Sequence, residues 1–257
     1  MPMKLSVILI TALLVAACAT SPTGRKQLRF MSDSQMKQMG AAAFDETKKK
    51  EKVSTDQRMT AFVSCVSNHI TRQVGGQWEV QLFDDDAVNA FALPGGKIGV
   101  YKGLFKAARN QDQLASVIGH EVGHVLAKHA NERVSTAFAT EGAIQLAGAI
   151  SGGGATGQRV MAMMGMGAQV GILLPWGRTQ ESESDLIGLD LMARAGFDPR
   201  QSVAVWQNMA QIGGNQPPEF LSTHPSHQTR IENLNNAMPQ ALQTYKQAQA
   251  SGKRPSC

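Results

Sequence analysis

Residues 120–124 read His-Glu-Val-Gly-His, an H-E-x-x-H pattern within an apolar stretch of the chain. Residues four apart on a helix share one face, so the imidazoles of His120 and His124 can bind one metal ion. The carboxylate of Glu121 lies in the same sector of that helix and can act as a base on a metal-bound water. The pattern therefore predicts a hydrolase with one catalytic zinc ion, and zinc in such sites takes a third protein ligand.

The acidic sequence Glu-Ser-Glu-Ser-Asp at 181–185 offers that third ligand. Glu181 and Asp185 are four residues apart and share a helix face, whereas Glu183 points about 200° away from Glu181. We therefore predict Glu181 as the third zinc ligand and Asp185 as the group that orients a ligating histidine. Glu183 is predicted to be a surface acid. The alternative for the whole cluster is an acidic, solvated first turn of a helix.

Three further residues near the H-E-x-x-H pattern need an explanation. His129 does not fit the extended pattern H-E-x-x-H-x-x-G-x-x-H, whose third histidine would fall at Ala130, so we predict a solvated histidine near a helix end. Gly119 and Gly123 each cost about 1 kcal/mol in a helix interior relative to alanine. They indicate that either a substrate or a neighbouring helix comes close to this face, and both interpretations stay open.

Apolar periodicity predicts helices around a short sheet. Apolar residues between 55 and 72 recur at three- and four-residue spacing, which is typical of a helix. Between 78 and 101 the period changes to two, with a turn at Leu93–Gly96, which predicts an antiparallel hairpin. Five more helices are predicted from their start and stop signals. The first begins near Ser32 or Ser34, and the second runs from Asn110 or Asp112 through His129 to about Val134. The third covers Arg178–Ala195 and ends before Gly196, the fourth follows Asp198-Pro199, and the fifth covers 226–237. The expected fold class is α+β, mostly helical, with the small sheet beside the H-E-x-x-H helix.

The segment 139–175 is rich in glycine and methionine and almost free of charge. Glycine loosens helices and methionine adapts its packing, so the segment is expected to form a mobile apolar flap or a membrane-facing surface. A membrane-spanning helix over 160–174 is the weaker alternative, because about 15 residues with three glycines are short for a span.

The N-terminal 17 residues have the composition of a secretory signal, with Lys4 before a short apolar run. Val15-Ala16-Ala17-Cys18 resembles a bacterial lipobox, which implies cleavage before Cys18 and lipid on that residue. Because Ala19 is not an aspartate, the lipoprotein sorting rule favours the outer membrane, in the periplasm of a Gram-negative bacterium. An ordinary signal with a chance cysteine is the alternative. We expect three parts: a signal peptide at 1–17, a lipidated tether at 18–33, and one metallopeptidase domain at 34–257.

Charge and cysteine content limit the partners. The formal net charge is +5, and the densest basic run, 48–52, directly follows two acids, so it is typical of a solvated helix end. No nucleic acid partner is expected. Cys65 and Cys257 could form a disulfide in an oxidising compartment, or Cys65 could be a buried free thiol.

Taken together, G-H-E-V-G-H followed by E-S-E-S-D resembles the gluzincin family of membrane-associated metallopeptidases, which includes the CAAX prenyl proteases and periplasmic lipoproteins. The likeness covers roughly residues 34–237. Asn89–Gly96 is similar to the family's strand ahead of the active helix, and Thr223-His224-Pro225 with Arg230 is similar to a further conserved segment of that family. The lipobox fits the lipoprotein branch.

The resemblance implies a zincin-type domain in which His224 and Arg230 lie near the zinc. His224 would stabilise the oxyanion or act as a fourth zinc ligand in a resting state. Asn89, Ala90 and Phe91 would pair with the substrate main chain as an added strand, a mode that suits unfolded polypeptides of loose sequence.

The expected function is a lipid-anchored zinc endopeptidase, with Glu121 as general base, that acts on unfolded or misassembled envelope proteins. One alternative is a chaperone-like assembly factor with envelope-assembly partners and little proteolysis. Another is a non-catalytic zinc-stabilised module with a closed four-ligand site.

Overall fold

The computed structural model describes residues 18–150, 177–212, 219–224 and 228–257. Its helices are α1 (Asp33–Lys50), α2 (Gln57–Thr71), α3 (Gln111–Leu126), α4 (His129–Ile150), α5 (Arg178–Ala195), α6 (Gln201–Ile212), α7 (Glu219–Thr223) and α8 (Gln228–Ala250). Its strands are β1 (Cys18–Thr20), β2 (Lys26–Leu28), β3 (Glu79–Phe83), β4 (Ala90–Leu93) and β5 (Lys97–Tyr101), followed by a 3-10 helix at Lys102–Lys106. The predicted α+β class is confirmed. Most of the Gly/Met-rich segment and the signal peptide lie outside the described residues.

The H-E-x-x-H pattern lies in the C-terminal half of α3, and Asn110 marks the start of this helix. The side chain of Asn110 accepts a hydrogen bond from the backbone N–H of Gln113 at 2.9 Å and so caps the helix. The helix ends at Leu126, and Lys128 has a left-handed φ of 57°. The single helix predicted as far as Val134 is therefore wrong, because the chain turns at Lys128 and begins a new helix at His129.

Three glycines allow α3 and α5 to pack closely. A Cβ added at Gly119 would lie 2.9 Å from the carbonyl oxygen of Gly188, and one at Gly123 would lie 2.9 Å from that of Ser184. A Cβ at Gly188 would in turn lie 2.7 Å from the backbone nitrogen of His120. Of the two interpretations left open by the sequence, the neighbouring helix is the one the structure shows. This close approach brings the acids of α5 next to the histidines of α3.

The three-stranded sheet has the order β3-β5-β4, so β4 is an edge strand. It pairs antiparallel with β5 around the turn at 94–96, with Ala92 opposite Ile98, and β3 pairs parallel with β5. Phe91 packs into a small cluster with Phe44 of α1 and with Phe83, on the side of the sheet that faces α1.

The main core lies between the sheet and the helices α2, α3, α5 and α6. Its buried apolar side chains include Val63, Val66, Ile70, Leu82, Ile98, Val100, Leu114, Ile118, Val122, Leu189, Met192 and Val205. Gly196 ends α5 in the left-handed conformation with φ 91°, which a side chain would disfavour. Among the described ranges, no helix is long and apolar enough to cross a membrane.

Two features connect the ends of the chain to this core. The stretch expected to be a tether contains an antiparallel hairpin, β1–β2, in which the side chain of Gln27 donates to the carbonyl oxygen of Ala127. At the other end, Cys257 forms a disulfide with Cys65 of α2, with Cα atoms 5.7 Å apart. The disulfide is therefore the alternative that the structure contains, rather than a free thiol at Cys65.

Candidate active site

Four buried side chains bring their ligating atoms together at the interface of α3 and α5. They are His120 and His124 of α3, Glu181 of α5, and His224, and one donor atom of each lies within 4.8 Å of the others. The Nε2 atoms of His120 and His124 are 3.0 Å apart, and Nδ1 of His224 lies 3.1 Å from Nε2 of His120. Oε1 of Glu181 lies 3.0 Å from Nδ1 of His224 and 3.3 Å from Nε2 of His124.

The His120 side of this cluster is supported by an acid and an arginine. Nδ1 of His120 lies 2.9 Å from Oδ1 of Asp185. Arg230 donates two hydrogen bonds to the Asp185 carboxylate, at 2.7 and 2.6 Å, and its guanidinium lies over the ring of Trp206 at 3.8 Å. Although burial alone would raise the pKa of Asp185, the charge of Arg230 holds that pKa below its ordinary value. Asp185 is therefore an ionised acceptor that orients His120, the position predicted for it from the helix face.

The His124 side is supported by a second imidazole instead of a carboxylate. Nδ1 of His124 lies 2.8 Å from Nδ1 of His129, and Nε2 of His129 lies 3.1 Å from Oε2 of Glu183. Both supporting residues are buried, with His129 fully so and Glu183 only 4% exposed. The predictions of a solvated His129 and a surface Glu183 are wrong. The break at Lys128 changes the direction of the chain, so His129 no longer follows the face expected of one continuous helix.

The donor set fits a zinc ion. Nδ1 of His120 and Nδ1 of His124 each have a hydrogen-bonding partner away from the cluster, so each Nε2 directs a lone pair into it. Two lone pairs that face each other at 3.0 Å repel unless a cation lies between them. Three imidazoles and one carboxylate are ligands that zinc prefers, so the cluster supports zinc as the cofactor.

Glu121 lies beside the cluster, between the edge strand β4 and His224. Its Oε2 accepts a hydrogen bond from the backbone N–H of Ala92 at 3.1 Å, and its Oε1 lies 3.4 Å from Nε2 of His224. Burial raises the pKa of the Glu121 carboxyl. Ala92 was not among the predicted site residues. Its position beside the turn at 94–96, on an edge strand, is the signal from which it could have been found.

The predicted substrate-binding residues lie on the same strand or just before it. Asn89 is buried, and its side chain accepts a hydrogen bond from the N–H of Ala90 at 2.9 Å. The ring of Phe91 points towards α1, so it is the edge of the strand, and not this ring, that borders the metal cluster. A cavity of about 470 Å³ adjoins this edge and is lined by residues that include Met36, Trp78, Ala92, Pro94, His124 and Val125.

A buried H-E-x-x-H helix, a carboxylate from a second helix and an adjacent edge strand define a metallopeptidase. The profile of Peptidase family M48 matches residues 41–238, and the chain belongs to that family. The family part of the resemblance is thus confirmed.

Named relatives agree with this class. The chain is 38% identical over 181 residues to the mitochondrial metalloendopeptidase OMA1 of Arabidopsis thaliana, covering 68% of this chain and 35% of that protein. It is 31% identical over 233 residues to the mitochondrial metalloendopeptidase OMA1 of Homo sapiens, covering 85% and 44%. It is 31% identical over 168 residues to the Beta-barrel assembly-enhancing protease of Escherichia coli, covering 60% and 33%. The chain spans between about a third and a half of the length of these relatives.

The comparisons correct one prediction. The location in a Gram-negative periplasm, anchored to the outer membrane, is contradicted because the relatives matched most strongly are mitochondrial by name, and the Beta-barrel assembly-enhancing proteases are more distant. The reason is that a short apolar N-terminal run, small residues and a cysteine at Cys18 do not determine a compartment.

Proposed function

We propose that the chain is a zinc-dependent endopeptidase that cleaves unfolded or misassembled polypeptides. His120, His124 and Glu181 hold the ion, within a single domain over 34–257 to which the family match at 41–238 lends support. The observation that carries the proposal is the convergence of these three donors on one buried point beside Glu121. We also propose that Cys18, the first residue of β1, carries a lipid, which would attach the enzyme to a membrane at the start of the β1–β2 hairpin.

The proposed chemistry uses Glu121 to move one proton twice. A bound zinc ion supplies Lewis-acid activation of a water and of the scissile carbonyl. Glu121 takes the proton of the attacking water and later gives it to the leaving amine. The N–H of Ala92 holds this carboxylate in place in the described state.

The edge of β4 supports the choice of an extended polypeptide as substrate. The N–H of Ala92 points to Glu121 and away from β5, so the backbone N–H groups of Ala90 and Ala92 lie on the open edge of β4. The side chains of Asn89 and Glu121 accept from these two groups, and a substrate strand would replace those contacts. A substrate strand added there would run past the metal ligands and over the adjoining cavity. Main-chain pairing imposes little sequence preference, as expected for a protease of unfolded chains.

The test of this proposal is cleavage of an unfolded protein such as casein, with and without a chelator, by the parent chain and by Glu121→Gln. We expect the variant to keep its zinc and to lose cleavage by at least about a hundredfold, since a positioned general base contributes on that order. Glu46→Gln is the matched control, because Glu46 is an exposed acid of α1. Retained cleavage by purified Glu121→Gln would reject the general-base assignment. If this variant still replaced the parent in cells, the assembly-factor alternative would be favoured.

We further propose that His224 is a fourth ligand in a resting state. Its Nδ1 lies within 3.1 Å of both His120 and Glu181, so it takes the position that water would need. His224→Ala should therefore raise the basal rate of casein cleavage, whereas His69→Ala, on the half-buried face of α2, should not. A fall in kcat for His224→Ala would assign His224 to transition-state stabilisation instead.

A further inference from the structure

Glu183 and His129 form a buried pair that the proposed chemistry does not use. A buried glutamate is costly unless its charge is compensated, and a buried imidazole needs partners for both ring nitrogens. Here the two lie 3.1 Å apart, and the second nitrogen of His129 faces His124 at 2.8 Å. We propose that Glu183 and His129 are positioning residues that fix the imidazole of His124 for metal binding. This inference rests on the proposed ligand set.

The order of donors and acceptors along the chain of contacts follows from its acidic end. An ionised carboxylate only accepts hydrogen bonds, so Glu183 requires the proton of His129 on Nε2. Nδ1 of the neutral His129 ring is then an acceptor, and it receives the N–H of Nδ1 of His124. His124 is thereby held in the tautomer whose Nε2 carries no proton and presents its lone pair to the metal cluster. The pair extends the usual carboxylate–histidine–metal arrangement by one imidazole.

The contacts from Glu183 through His129 to His124 form a relay, and the β1–β2 hairpin holds its acidic end, Glu183. Thr23 donates its hydroxyl to Oε1 of Glu183 at 2.5 Å, and Nε of Arg25 donates to Oε2 at 2.8 Å. Arg25 also forms two hydrogen bonds with Glu132 at the start of α4. Both oxygens of Glu183 are thus fixed by groups that precede α1. Thr23 and Arg25 therefore support a metal ligand about a hundred positions further along the chain.

A purely structural role of this cluster makes a different prediction from a positioning role. If the cluster only docks the hairpin, loss of the Arg25–Glu132 contacts should be as harmful to the metal site as loss of His129. If the relay positions His124, only changes at His129 and Glu183 should alter the metal itself. Glu132→Gln is therefore the matched control, because Glu132 binds Arg25 but forms no hydrogen bond with His129 among the contacts described above.

The experiment compares His129→Phe, His129→Gln, Glu183→Leu and Glu132→Gln in the full chain. Zinc affinity is measured by competition with a chromogenic chelator, and ligand geometry by the visible spectrum of the cobalt-substituted protein. We expect His129→Phe and Glu183→Leu to weaken zinc binding by about 10–100-fold and to change the cobalt spectrum. His129→Gln keeps an acceptor for His124 and should recover most of the affinity. At saturating zinc the losses should appear in kcat and not in KM.

The proposal is overturned if folded His129→Phe binds zinc within twofold of the parent and has the parent's cobalt spectrum. It is also overturned if Glu132→Gln causes the same loss as His129→Phe, because docking of the hairpin would then explain both. Circular dichroism establishes whether each variant is folded. If His129→Phe does not fold, His129→Gln tests the relay in its place. His124→Phe separates failure of the relay from failure of the proposed ligand set: unchanged zinc affinity in that variant would reject the ligand set itself.

Discussion

The two histidines of the H-E-x-x-H pattern lie one turn apart on α3 but are supported in different ways. His120 contacts the carboxylate of Asp185 directly, and Arg230 fixes that carboxylate. His124 contacts a second imidazole, and the carboxylate comes one step later. One side of the site thus depends on a short, charged contact in the interior. The other depends on a longer chain of contacts that reaches the N-terminal hairpin, so the two sides should respond differently to substitution.

The largest difference is expected between the two glutamates of α5. Glu181→Ala removes a donor that lies within 3.5 Å of both His120 and His124, so zinc binding and cleavage should be abolished. Glu183→Ala removes only the acidic end of the relay, so zinc affinity should fall by about 10–100-fold. Metal analysis after dialysis measures the first effect, and chelator competition the second. Equal zinc loss in the two variants would show that the two sides do not differ.

A change on the His120 side should also affect the stability of the fold. Asp185→Asn leaves the buried guanidinium of Arg230 with one ionised partner in place of two, because Glu181 still lies 2.6 Å from it, and loss of one member of a buried pair costs at most about 3–5 kcal/mol. The free energy of unfolding, measured by urea titration, should fall by up to that amount. Arg25→Gln on the other side should cost less than Asp185→Asn, because the Arg25 side chain is partly exposed and water can take its place beside Glu183. If the two losses are similar, the contrast between interior and peripheral support is wrong.

The smallest expected effect concerns the packing of α3 against α5. A methyl group at Gly123 would lie 2.7 Å from Oγ of Ser184, and this hydroxyl donates a hydrogen bond to the carbonyl oxygen of His120. A methyl group at Gly119 would lie 2.9 Å from its closest neighbour, the carbonyl oxygen of Gly188. Gly123→Ala should therefore destabilise the protein by about 1–3 kcal/mol, and Gly119→Ala by less. Thermal denaturation measures both. Gly177→Ala, where a methyl group meets nothing closer than 3.6 Å, is the control; it changes only the N-cap of α5, so it should lower the melting temperature less than Gly123→Ala does.

Much of this architecture could be predicted from local patterns in the sequence. The period of the apolar residues predicted α2, Gly196 marked the end of α5, and the four-residue spacing placed Glu181 and Asp185 on the face that meets α3. These predictions succeed because helical geometry is regular over one or two turns. The resemblance added His224 and Arg230, whose positions depend on contacts more than 40 residues apart in sequence, and no local rule could supply them.

The failures have one physical origin. The left-handed φ of Lys128 carries no strong sequence signal, because lysine seldom adopts it. Beyond Lys128, the direction of a side chain calculated for one continuous helix is wrong. The prediction of a solvated His129 is wrong for this reason. Glu183 was placed at the surface because its face of α5 was assumed to meet water. The β1–β2 hairpin covers that face, and a short polar stretch before α1 did not reveal the hairpin.

The disulfide between Cys65 and Cys257 joins residues 192 positions apart. The histidines of α3, the acids of α5, His224 and Arg230 all fall within the covalent ring that it closes. A single cut in any peptide bond of this ring leaves both fragments in one molecule, with every proposed zinc ligand still attached. An enzyme that cleaves polypeptides can therefore be nicked there by another copy of itself without losing a part, and the cut would become visible on a gel only after reduction.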